Sequence, residues 1–141
     1  MYLINEVVRL GVDYIHTSLW GNRAYASKAA SGQYKGQSIN KVIKSVIDDR
    51  ALLIGAGDIT NADKILEASE YVDLLVLASL IIIDPDTKNK ISARKGNEIT
   101  LDVENRIEYL ALPKNFPPIV VAMEGNGSIP QKILDLLRKK K

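Results

Sequence analysis

The chain has 141 residues, enough for one domain of ordinary size, and its 46% hydrophobic and 26% charged content allows a packed core. A formal net charge of +2 gives no ground for nucleic acid or a membrane as main partner. The lack of cysteine excludes disulfides and thiolate chemistry and fits a reducing compartment. No secretory leader is visible in residues 1–10, and the apolar run 74–83 is too short to span a bilayer, so a soluble, cytoplasmic protein is expected.

Residues 3–10 have helical spacing at Leu3, Val7, Val8 and Leu10, with Gly11 as a stop. A helix at the first residues, where a crossover from an earlier strand belongs, leads us to expect a truncated chain. Residues 12–17 read as a strand. Residues 18–37 form a long Gly-, Ser-, Ala- and Lys-rich connection with Trp20, Tyr25 and Tyr34, expected to be functional or mobile. Ser38 caps a helix over 38–47 with Ile39, Val42, Ile43, Val46 and Ile47 on one face. Asp48, Asp49 and Arg50 lead into the run 51–54, which has no polar residue and reads as a strand buried on both faces, the habit of parallel sheets. A helix over 61–68 burying Ala62, Ile65 and Leu66 follows, then a strand over 73–77, a turn at Ala78 and Ser79, and a short helical run over 80–83. Asp84 and Pro85 then read as a cap with proline at the first helical position.

The alternation of helix and strand predicts an α/β fold with parallel strands and right-handed crossovers. Beyond Ile91 the pattern changes: 92–98 is polar, 101–112 reads as a helix, 119–123 as a strand or docking segment, and 128–137 as a final helix with a capping box at Ser128 and Gln131. Residues 92–141 are expected to pack as an extension on the α/β part.

The sequence centres on Gly55, Ala56 and Gly57, between the apolar run and the next helix. Thr60 and Asp63 make a capping-box pattern. Glycines between a strand and a helix gather free backbone N–H groups, a geometry suited to an anion, although a Gly-x-Gly also serves as a plain tight turn. His16, the one histidine, reads as a structural or rim residue because no partner acid is visible. Trp20 and Tyr25 either line a ligand mouth or pack the loop. Asp48 with Asp49, and Asp84 with Asp86, read as helix-end residues in preference to metal ligands, for want of a third ligand. Arg138, Lys139, Lys140 and Lys141 read as a solvated tail in preference to a nucleic-acid contact.

Three segments together resemble the C-terminal part of the old yellow enzyme family of FMN-dependent NAD(P)H:flavin oxidoreductases. Gly11-Val12-Asp13-Tyr14-Ile15-His16-Thr17-Ser18 resembles the sixth strand of that family's (β/α)8 barrel. Ile54-Gly55-Ala56-Gly57-Asp58-Ile59-Thr60 is similar to the seventh strand and its phosphate turn. Val72-Asp73-Leu74-Leu75-Val76-Leu77-Ala78-Ser79 with Asp84, Pro85 and Asp86 resembles the eighth strand and the helix start beyond it. The resemblance implies a partial TIM barrel: the last three βα units in residues 1–91 and a helical C-terminal extension in 92–141. It implies FMN as cofactor, NAD(P)H as electron donor and a small-molecule acceptor in the complete enzyme. The FMN phosphate would sit on Gly55, Ala56, Gly57, Ala78 and Ser79, in the loops after the last two strands where TIM barrels commonly hold phosphate.

Two departures qualify this. The family's second phosphate turn carries Gly-Arg, and here Ala78 and Ser79 stand there. Loss of a charge-assisted contact costs about 1.5–3 kcal/mol, and Lys28 or Lys35 is a candidate substitute. The family's first five strands, with its ring-binding, substrate-binding and proton-donating residues, have no counterpart. The chain by itself is therefore expected to lack catalytic residues and hydride transfer, and to self-associate or recruit a chain supplying the missing barrel half. The alternative reading is a non-catalytic interaction or phosphate-ligand-binding module.

Overall fold

The computed structural model describes residues 1–102, Arg106, residues 109–111, Asp135 and Arg138. The expected strand at 119–123 and helix at 128–137 lie outside the described residues or almost entirely so, as does most of the helix expected over 101–112, whose first residues, Leu101 and Asp102, are not helical. The chain divides into two compact units: residues 1–59 with 63–77, and residues 60–62 with 78–141.

In the first unit, helix α1 (Tyr2–Arg9) precedes strand β1 (Tyr14–Ser18), helix α2 (Ile39–Ile47), strand β2 (Leu52–Ala56), helix α3 (Ala62–Ser69) and strand β3 (Leu74–Val76). The strands form one parallel sheet in the order β1-β2-β3. The register pairs Leu52 with Tyr14, and Ile54 with both His16 and Leu74. The fold is thus α/β with helical crossovers between neighbouring parallel strands, as the alternation predicts.

The core lies on one side of this sheet. Val8 of α1, Ile43 and Ile47 of α2, Leu53 of β2 and Val72 pack together, and a second cluster joins Tyr25, Ile59 and Ala68. Leu75 of β3 touches both clusters. Side chains alternate across a strand, so the other face carries Tyr14, His16, Leu52, Ile54, Leu74 and Val76. There Tyr14, Leu52 and Leu74 are 57%, 49% and 48% exposed, against 0% for Leu53. The expectation that residues 51–54 are buried on both faces is therefore corrected: both faces are apolar, and only one is covered.

Helix phases also needed correction. Leu3 and Leu10 are exposed, and α1 turns Ile4 and Val8 inward. Leu66 of α3 is exposed, and Ile65 and Ala68 face the core. Helix α2 turns Ile39, Val42, Ile43 and Ile47 inward, with Ser38 at its N-cap accepting a hydrogen bond from the Lys41 amide at 3.4 Å. At the other end, Arg50 donates to the carbonyls of Val46 and Ile47, a cation on the last-turn oxygens.

The second unit contains helix α4 (Ala78–Ile83) and helix α5 (Thr87–Ser92). Ala78 and Ser79 begin α4 and do not form the expected free turn. Asp86 is the N-cap of α5, so Pro85 precedes the cap. Asp84 stands directly after the last residue of α4, its amide donating to the Leu80 carbonyl at 2.7 Å, and it is fully buried. Its Oδ2 accepts from Lys90 Nζ at 2.6 Å and from the Thr100 amide at 3.0 Å. Burial raises its pKa, but these hydrogen bonds and the charges of Lys90 and Arg106 outweigh it, leaving the carboxyl below its usual value.

Candidate functional site: the turn after the central strand

Parallel pairing brings the C-terminal ends of the three strands to one rim, at Ser18, Ala56 and Val76. On that rim the chain leaves β2 through Gly57, at φ +118°, and Asp58, at φ 55°. Both glycines of the motif meet close packing. A Cβ on Gly55 would lie 2.8 Å from the Val72 side chain. One on Gly57 would lie 2.6 Å from the Ala24 Cβ and 2.7 Å from the Leu19 carbonyl oxygen. The internal contacts therefore account for the glycines as packing residues, the plainer of the two readings the motif allows.

The long connection after β1 is pinned to this turn. Asp58 Oδ2 accepts the Arg23 amide at 2.7 Å and Lys64 Nζ at 2.7 Å. Tyr25 is fully buried and its hydroxyl donates to Glu67 at 2.7 Å; Arg23 also pairs with Glu67. From below, buried Asn40 accepts from the Thr17 hydroxyl at 2.9 Å and donates to the Tyr25 carbonyl at 2.9 Å. Tyr25 is thus a packing residue and lines no mouth, while Trp20 is 67% exposed.

What remains for a ligand is backbone. Among the described residues, no hydrogen bond is found from the Asp58 or Ile59 amides. An anion near them would face Asp58 itself, but Lys64 compensates that carboxylate within the turn. These residues fit the anionic end of a ligand. Ala78 and Ser79, the other predicted site residues, open α4 in the second unit. His16 lies on the open sheet face, paired in register with Ile54. An open depression lined by Gln37, Ser38, Lys41, Val42 and Ser45 includes none of the predicted site residues. Among the described residues, no three histidine, aspartate or glutamate side chains gather to hold a metal ion.

Sequence reasoning missed Asp58, Lys64 and Asn40. An acid and a base six residues apart around a helix start were a usable signal for the first two. Asn40 had none, because its partners come from distant parts of the chain. Asp73 orders the strands beneath the turn: it accepts Lys44 Nζ at 2.6 Å and the Leu53 amide at 2.9 Å. These two bonds, the lysine's foremost, hold its carboxyl below its usual value.

No protein-family profile matches the chain. An uncharacterized oxidoreductase of Streptococcus pyogenes serotype M5 (strain Manfredo) is 26% identical to it over 132 residues, 90% of this chain and 33% of that protein. The chain spans about a third of the length of the curated relative it matches, and the match supports a relationship to an oxidoreductase. Among the described residues no helix is long and apolar enough to cross a membrane.

Proposed function

We propose that this chain is the FMN-binding part of an NAD(P)H-dependent flavin oxidoreductase of the old yellow enzyme type, its strands forming the last three βα units of a (β/α)8 barrel. In this reading the FMN phosphate lies on the turn of Gly55, Ala56 and Gly57. The observation that carries the reading is the glycine turn at the C-terminal rim of a parallel sheet, followed by two amides, of Asp58 and Ile59, without a partner among the described residues. Phosphate sites of (β/α)8 barrels lie at this end of the strands. Two further points support it. The core packs against one sheet face, as in the wall of a barrel, and a distant relative is an oxidoreductase.

FMN would supply hydride transfer between NAD(P)H and a small-molecule acceptor in the complete enzyme. The residues of this chain would bind and orient. The amides after Gly57 would donate to the phosphate, and Lys64 would keep the Asp58 carboxylate from repelling it. Asp58, through the Arg23 amide, would hold the neighbouring loop in place. No residue of this chain is assigned a proton transfer.

Titration of the chain with FMN, followed by flavin fluorescence, tests the reading. Saturable binding that inorganic phosphate weakens is expected; an emission that stays that of free flavin at every protein concentration overturns it.

A second reading is favoured by the open sheet face: a module that associates with another copy or with a chain supplying further strands. Tyr14, Leu52, Leu74 and Val76 expose apolar surface there, and β1 and β3 each have an edge without a strand neighbour among the described residues. Sedimentation velocity tests it. Concentration-dependent association is expected, and a monomer at every concentration counts against self-association.

A further inference from the structure

Tryptophan is among the more buried residue types on average, so a largely exposed one on an ordered loop calls for a partner. Trp20 is 67% exposed and is the one tryptophan of the chain. Its neighbours on both sides are fixed to the turn after β2. Before it, the Leu19 carbonyl lies against Gly57, within 2.7 Å of where a Cβ would be. After it, the Arg23 amide donates to Asp58 at 2.7 Å, and Ala24 is fully buried against Gly57. The three residues of chain between the Leu19 and Arg23 anchors cannot carry the indole far from the turn.

We infer that Trp20 is the stacking surface for the planar ring of the ligand whose phosphate the Gly57 turn holds. The inference rests on the function proposed above and names the part of that site which reads the ring. A glycine turn with amides of Asp58 and Ile59 offers hydrogen bonds to an anion and little to a heterocycle. An indole face offers the reverse: stacking area for any planar ring, with no demand on its hydrogen-bond pattern. Together they select a phosphorylated planar heterocycle over a sugar phosphate or inorganic phosphate. The loop is held by Tyr25, Arg23 and Asn40 independently of the indole, so Trp20 is free of a packing role that would explain it.

The test uses the full chain with FMN as probe, comparing wild type, Trp20→Ala and Trp20→Phe. Stacking is expected to quench flavin emission in the wild type. Trp20→Ala should weaken binding on the order of tenfold and restore emission at saturation, by the usual size of base–aromatic stacking. Trp20→Phe should keep most of the affinity. Thermal midpoints should stay together, because an exposed side chain is removed. If the wild type binds FMN and Trp20→Ala binds it equally tightly with equal quenching, the inference fails and the phosphate site stands. If the wild type does not bind FMN, both fail.

Discussion

The two faces of the three-stranded sheet are built from the same strands and meet opposite fates. On one, Leu53 and Gly55 of β2 lie under the helices with Leu75 of β3. On the other, Leu52, Leu74 and Val76 face outward beside Tyr14 and His16. Hydrophobicity does not distinguish them. Position does: the core helices and the loop carrying Tyr25 pack on the side where Val72 fills the space beside Gly55, and nothing among the described residues fully covers the other. An apolar strand is thus evidence of two apolar environments, and the second one need not be filled by the same chain.

Truncating one leucine from each face should separate the two faces most clearly. Leu53→Ala should lower the unfolding free energy by about 3–5 kcal/mol, because its cavity would lie in the centre of the core. Leu52→Ala, one residue earlier, should change it by less than about 1 kcal/mol. Urea unfolding of both variants decides; equal costs would mean that the open face is covered.

Gly57→Ala should come next, at about 2 kcal/mol, since it combines a positive φ with contacts below 3 Å to Ala24 and the Leu19 backbone. A smaller effect, about 1 kcal/mol, is expected for Asp73→Asn, which keeps an acceptor for the Leu53 amide and loses the Lys44 ion pair. Its pH dependence is more informative than its size. The folded-state pKa of Asp73 is depressed, so its contribution is present above the unfolded value and is lost as pH falls below about 4. The variant should therefore lose less stability than wild type between pH 5 and about 3, and parallel profiles would show that Asp73 is not coupled to folding. Leu52→Ser with Leu74→Ser is read by association and not by stability: the pair should abolish any association seen by sedimentation, and association that survives it would place the contact elsewhere.

Much of this architecture was legible in the residues. Apolar runs bounded by Gly11, by Arg50 and by Asp73 gave the three strands to within two residues, and Ser38 before an Ile-Val pattern gave α2 and its inward face. Helix phase in α1 was not legible, since Leu3 and Ile4 are adjacent and equally apolar, and only the position of α2 selects Ile4. Asn40 reads as a solvent residue, yet it is buried because Thr17 and the Tyr25 carbonyl satisfy both ends of its amide. The loop after β1 reads as functional or mobile from its length; its fixed points are the Tyr25 hydroxyl and the Arg23 amide, whose partners Glu67 and Asp58 lie more than thirty residues away. The position of the glycine turn was visible, and its contacts were not: Val72, Leu19 and Ala24 carry no sequence mark that ties them to Gly55 or Gly57. At Thr60 the capping pattern misled, because α3 starts at Ala62.

If the turn after β2 grips a phosphate, it should distinguish FMN from riboflavin, which differ by that group alone. Dissociation constants from flavin fluorescence should differ at least about tenfold in favour of FMN, the least that one or two charge-assisted amide contacts contribute. Equal affinity for the two flavins would contradict a phosphate site at Gly57.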